Sequence, residues 1–247
     1  MSARILKSKG NVIVLYVWCV VLSLLLALLL LETWVIVVEH VLLPDLKHFD
    51  WGRLDWPNVF KNFNIGLYWW FIIGVSIYVL FRRLVVPRFD ELHRKFMSIE
   101  TLSHELSHYI TGLSLGRRVH SIHAEEKTGE VMTSGSTWSR PMTSLAPYTM
   151  PFLTYLALAL RTLIDWQSTW LYDILAGITM GFHLIVFVND TKLYQTDINR
   201  FPSLWFPGLY IAVFHVFNLN VIAVTFWSSK NFFTAIWWVI QHLFIWG

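Results

Sequence analysis

The chain is 247 residues long, 55% hydrophobic and only 14% charged, with a mean hydropathy of +0.52. A soluble domain carries about a quarter of its residues as charges, so this chain lacks the polar surface to cover a water-soluble globule and lipid is its expected solvent. The formal charge of +3 is small and sits in Lys and Arg clusters between apolar runs, a distribution that argues for membrane orientation and against nucleic-acid binding. The single cysteine, Cys19, lies inside an apolar run, which excludes an internal disulfide and any cysteine-rich metal site. A metal would therefore need His and carboxylate ligands.

A spanning helix needs about 20 mostly apolar residues. Asn11 to Val38 meets this, broken only by Glu32, and without a small-residue cleavage site it reads as a retained anchor. Phe63 to Phe81 is the expected second span, Leu145 to Ile164 the third, Trp170 to Val188 the fourth and Leu204 to Phe226 the fifth. Phe232 to Trp246 is short and spans only with tilt. Phe96 to Gly116 is helical in pattern but studded with polar groups, and Val119 to Ala124 followed by Glu130 to Thr133 alternates as a β-hairpin would. The expected fold is an all-α polytopic membrane protein of about six transmembrane helices, with a membrane-embedded motif helix and a small β-hairpin. Three regions follow: residues 1–95 with two spans, 96–208 as the core, and 209–247 with the C-terminal membrane helices.

Basic residues favour the cytoplasmic side in short loops. Arg4, Lys7 and Lys9 place the N-terminal tail there, and Arg82, Arg83, Arg88, Arg94 and Lys95 place the loop after the second span there too. The segment from Arg117 to Arg140 is also basic. It stays on that side if the motif helix dips into the membrane and returns, which is the expectation.

The chemistry lies in His104-Glu105-Leu106-Ser107-His108. Two His four residues apart project from one helical face and can hold one Zn²⁺. Glu105, beside the first, is placed to act as general base on a water at that site. Leu102, Leu106, Ile110 and Leu113 flank the motif, and ionisable groups at membrane depth are costly and usually functional.

The chain resembles the site-2 protease family of intramembrane zinc metalloproteases over roughly Ser103 to Gly208. The matching features are the SHELSH helix, the Gly-containing segment GLSLGRRVHSIHAEEKTGEV, the Pro-containing helix entry LAPYTMPFL, the helix ending GFHLIVFVND, and YQTDI. The resemblance implies that His104 and His108 bind zinc with a downstream Asp, and that Glu105 is the base. It also implies that the hairpin holds an extended substrate. The chain departs from the family at the third ligand, because the usual Asp-Gly motif with upstream Asn and Pro is missing. No PDZ-like insert is present either.

Three residues compete for that third position. Asp197 in Gln195-Thr196-Asp197-Ile198 resembles the aspartate of the family's divergent small members, and it leads. Asp190 ends the preceding helix, and His183 lies seven residues before it on a similar face. Glu125, Glu126 and Glu130 remain behind these. His120 and His123 read as solvated loop histidines, and Arg161 with Asp173 as a structural pair. His215, Asn218 and Asn220 read as interhelical bonding groups or cavity lining.

The sequence thus points to a zinc-dependent intramembrane endopeptidase in a bacterial inner membrane. Its substrate is expected to be a transmembrane protein pairing as an extended strand with the edge near Val119 to Ala124; individual substrate-binding residues are not identified. The competing readings are a non-catalytic membrane scaffold or chaperone that keeps the architecture, and a transporter with an intramembrane ion path. An intact Glu105 argues against the scaffold, which has no need of a base beside two ligands.

Overall fold

A computed structural model of the protein describes residues 68–126, 128–136, 138–163, 169–192, 195–201, 204–227 and 232–244, with isolated positions 17, 20, 21, 24, 25 and 28. Those six positions are helical and exposed. The rest of the expected first span, Asn11 to Val38, lies outside the described residues, as does the start of the second.

Helix α1, Trp69–Leu80, continues through a π-helical turn (Phe81–Val85) and a 3-10 turn (Val86–Arg88), where Pro87 ends it. Helix α2, Asp90–Ser114, carries the HExxH motif and starts six residues earlier than the hydropathy pattern suggests. Asp90 and Glu91 in its first turn complement the helix dipole there. Gly116, at φ 69°, ends α2 in the left-handed conformation, with the Arg117 N–H donating to the Gly112 carbonyl. That turn feeds the chain directly into β1, Arg118–Ala124, which pairs antiparallel with β2, Gly129–Ser134, through a bulge between Val119 and Ser121. The hairpin expected from alternation is present.

The expected third span is not one helix. It divides into α3, Arg140–Thr149, and α4, Phe152–Leu163, because Met150 adopts an extended conformation ahead of Pro151. Eight of the ten residues of α3 are buried, so α3 belongs to the interior, and the 12 residues of α4 are too few to cross a bilayer unaided. Helix α5, Trp170–Asp190, is followed by a short helical turn, α6, Thr196–Asn199. Then come α7, Trp205–Trp227, and α8, Phe232–Phe244. Among the described residues three helical stretches are long and apolar enough to span: Trp69–Arg88, Trp170–Asp190 and Trp205–Phe226.

Helices α1 and α5 lie in backbone contact. A Cβ on Gly74 would stand 2.2 Å from the Ile174 carbonyl oxygen, and one on Gly177 would stand 2.1 Å from that of Phe71. Small residues at a crossing let membrane helices approach this closely. One apolar cluster joins α4, α5, α7 and α8 through Leu158, Met180, Val221 and Val239. A second joins α3, the α6 segment and α7 through Leu145, Tyr148, Ile198 and Phe206, and it anchors the turn that carries Asp197. Polar bonds tie the helices further. Asn218 Nδ2 donates to the Thr149 carbonyl at 2.7 Å, and Arg161 pairs with Asp173 at 2.7 Å, as expected. Arg82 and Glu100 form a buried ion pair at 2.6 Å between the π-helical turn and α2.

Helix α2 has its polarity inverted relative to a water-soluble amphipathic helix. His104, Glu105 and His108 are 8%, 6% and 8% exposed, while Leu102 and Leu113 are 49% and 50% exposed. The polar stripe faces protein and the leucines face outward.

Candidate metal centre

The two motif histidines are oriented by partners outside their own helix. His108 Nδ1 lies 2.7 Å from the Thr143 carbonyl oxygen on α3. A carbonyl only accepts, so Nδ1 carries the proton and Nε2 keeps its lone pair. His104 Nδ1 donates in the same way to Asp190 Oδ2 at 3.1 Å, at the C-terminal end of α5. The two Nε2 atoms then face Asp197 Oδ2, at 3.0 Å from His108 and 3.5 Å from His104. The Asp197 carboxylate is itself fixed, because Arg200 Nη2 donates to its Oδ1 at 2.7 Å while Arg200 Nη1 is anchored on Ser144 Oγ. Burial alone would raise the Asp197 carboxyl; the two facing imidazoles when they carry a proton at Nε2, and the nearby Arg200, outweigh it and hold the group well below the usual carboxylate range.

One ligand atom from each of His104, His108 and Asp197 lies within 4.8 Å of the others. Nitrogen and oxygen ligands of a tetrahedral zinc stand roughly 3.3 Å apart, and the separations of 3.0 and 3.5 Å bracket that value. Each ligand also has the outer hydrogen bond that orients metal-binding imidazoles and carboxylates. The residues fit a divalent metal.

A family model described as Peptidase M50B-like matches residues 72–196, just over half of the chain. The chain belongs to the Peptidase M50B-like family. Membership places it among the site-2 proteases, a family of membrane metalloproteases, and together with the three apolar helices among the described residues marks it as an integral membrane protein. No curated protein and no solved structure matches the chain. The family match stops at Thr196, so Asp197 rests on the geometry above.

The other sequence candidates fall elsewhere. Asp190 touches His104 through Nδ1, on the side away from Asp197. His183 stacks on His215 with ring centroids 5.8 Å apart, outside the cluster. Glu125 is exposed and pairs with His123 at 3.1 Å, and Glu126 offers only its backbone carbonyl, to Thr101. His120 is exposed against Ser134.

Glu105 opens onto a cavity of about 850 Å³ that His108 and Asp197 also line. Burial pushes its carboxyl above the usual value, while His108 and His104 pull the other way. The lining also includes the unbroken run from Gly129 to Ser136. Alternate side chains of a strand point to opposite faces, so a continuous run means that β2 presents its edge to the cavity. The strand expected there was Val119 to Ala124. That strand, β1, pairs with one edge of β2 and contributes only His120 to the cavity, while every residue of β2 lines it.

Sequence reasoning missed two contributors. The Thr143 carbonyl carries no side-chain signal at all. Gly129 does: it begins β2 directly against the base, where a Cβ would lie 2.2 Å from Glu105 Oε1.

Proposed function

We propose that the protein is a zinc-dependent intramembrane endopeptidase that hydrolyses peptide bonds of transmembrane protein substrates. The observation that carries this reading is the convergence of His104, His108 and Asp197 beside Glu105, at a cavity walled by a strand edge. A zinc ion held by those three residues would supply a Lewis acid that polarises the scissile carbonyl and acidifies water.

The protein's own groups do the rest. Glu105 accepts the proton of the attacking water and returns it to the leaving amine. Asp190 and the Thr143 carbonyl keep both imidazoles in one tautomer and one orientation, and Arg200 does the same for Asp197. A transmembrane substrate must unwind before attack, since helical hydrogen bonds occupy its backbone. The free edge of β2 offers those backbone groups new partners and lays the unwound segment past Glu105. The expected setting is a multi-pass protein in a bacterial inner membrane, with lipid and a transmembrane substrate as its partners.

The test is zinc per chain in detergent-purified protein, measured beside cleavage of a membrane-protein substrate library. About one zinc in the wild type, lost in His104→Ala and Asp197→Ala, with cleavage lost but zinc kept in Glu105→Gln, supports the reading. Folded wild-type protein that takes up no zinc sinks it.

A further inference from the structure

The same cavity carries a second chemical signature, which the hydrolytic reading does not use. Arg117, Arg140 and Arg200 all line it. Two of the three are committed. Arg200 is spent on Asp197, Ser144 and the Thr196 carbonyl. Arg117 donates from Nε to Thr133 Oγ1 and from Nη1 to the Ser136 carbonyl and Ser139 Oγ, while its Nη2 makes no hydrogen bond among the described residues. The Arg140 guanidinium has no hydrogen bond and no ion pair among the described residues. Glu130, on the same cavity wall, forms no ion pair with it.

Nothing in the local fold accounts for Arg140. It is the first residue of α3, where a cation opposes the helix dipole. It is also half-buried, and the Arg200 guanidinium repels it. Burial and both neighbouring guanidiniums likewise push Arg117 below its ordinary value. Charge accumulated against local preference, at a cavity, is the pattern of a site waiting for an anion.

The position identifies which anion. Arg140 precedes Thr143, the residue that orients His108, by three residues, and Ser144, the residue that anchors Arg200, by four. Residues at those spacings share a helix face, and Arg140, Thr143 and Ser144 line one cavity with Glu105, His108, Asp197 and β2. A peptide laid along the β2 edge advances about 3.3 Å per residue, so a side chain displaced from the scissile bond along the strand falls in the same cavity as Arg140. A lipid phosphate would have to leave the membrane surface to enter this cleft, whereas a peptide on the β2 edge already lies in it.

We propose that Arg140, assisted by the spare Nη2 of Arg117, forms a subsite for a carboxylate side chain of the extended substrate, so that the enzyme selects an acidic residue at a fixed distance from the cleavage point. The subsite rests on the reading of β2 as the substrate-docking edge, and its test does not depend on cleavage. The experiment uses full-length, zinc-loaded Glu105→Gln protein in detergent and fluorescein-labelled decapeptides of Ala, Val and Gly carrying one Glu or one Gln at each position in turn, with binding read by anisotropy. A charge-assisted bidentate contact predicts roughly ten-fold tighter binding for Glu than for Gln at one or two adjacent positions.

Arg140→Gln added to that protein removes the preference, and Arg140→Lys keeps part of it, both at unchanged zinc content. No position at which Glu outbinds Gln overturns the subsite without any variant being needed, and so does a preference that survives Arg140→Gln. Competition by phosphatidylglycerol nanodiscs, with no Glu preference among the peptides, assigns the cluster to lipid phosphate and also overturns it. A protein that shows the Glu preference but never cleaves peptide in its wild-type form keeps the subsite and loses the endopeptidase.

Discussion

Replacing Gly129 by Ala tests the placement of the base without touching a metal ligand. The added Cβ would stand 2.2 Å from Glu105 Oε1 and 2.6 Å from its Cδ and Cγ, against the 3.4 Å at which ordinary contact begins. The carboxylate must therefore retreat by about 1 Å, and a displacement of that size in a reacting group lowers turnover by about 100-fold. The backbone offers no objection, because Gly129 does not occupy the left-handed region. The obstacle is the end of a flexible side chain, so stability should change by less than about 1 kcal/mol. The assay is kcat and KM for peptide cleavage, with zinc per chain and Tm measured on the same preparation. Turnover should fall by about two orders of magnitude with KM, zinc and Tm nearly unchanged. Gly208→Ala, where a Cβ meets nothing within 4 Å, is the neutral control. Activity within about three-fold of wild type would mean that Glu105 works from some other position. Zinc loss would mean that the strand supports the ligands and not the base.

Three further outcomes follow from the geometry. Asp190→Asn should weaken zinc binding by about 10- to 100-fold, because it loosens the Nδ1 partner of His104 without removing a ligand; competition with a chelator of known affinity measures it, and complete loss would make Asp190 a ligand. Gly177→Leu should destabilise the protein by at least about 1–3 kcal/mol, since its Cβ alone would lie 2.1 Å from the Phe71 backbone oxygen and force α1 and α5 apart; an unchanged Tm in detergent would refute that contact. Arg82→Met should destabilise by about 3–5 kcal/mol by leaving Glu100 buried without its partner, and adding Glu100→Leu should recover most of it; a double variant no better than the single would show that the pair acts through more than charge.

The parts of the centre that were legible in the sequence are those set by short spacing. His104, Glu105 and His108 share one turn of α2, and the identity of that turn needs no tertiary information. Asp197 lies 89 residues from His108 and became a candidate only through resemblance. Nothing local separates it from Asp190. The difference arises because Asp190 ends α5 facing Nδ1, while the α6 segment, held by Ile198 and Phe201 in the apolar cluster, returns Asp197 to the Nε2 side. The hairpin was legible as alternation, but period two is indifferent to which edge is free. That choice is made by tertiary packing, which sets Gly129 against Glu105 and lines the cavity with the whole of β2 but only His120 of β1.

The divided third span shows a limit of another kind. Hydropathy from Leu145 to Ile164 is continuous, and a window average ignores the backbone. Pro147 is accommodated inside α3, whereas Pro151 forces Met150 out of the helical region and so ends α3. The break has a consequence for the site. An unbroken helix would carry residues 140–149 along one axis with α4, whereas the break lets α3 turn its Thr143 carbonyl to His108 and its Ser144 hydroxyl to Arg200. The inverted polarity of α2 completes the same logic. With leucines outward and His104, Glu105 and His108 inward, burying the polar face is tolerable only because α3, the end of α5 and the α6 segment each deliver a hydrogen-bonding partner to it. Removing any one of those partners leaves a buried polar group unmatched, so the variants least able to bind zinc should also be among the least stable. That correlation can be measured across His104→Ala, Asp190→Asn and Asp197→Ala in one series of melting curves with and without metal. Equal Tm values across the series would break the link between the fold of α2 and its chemistry.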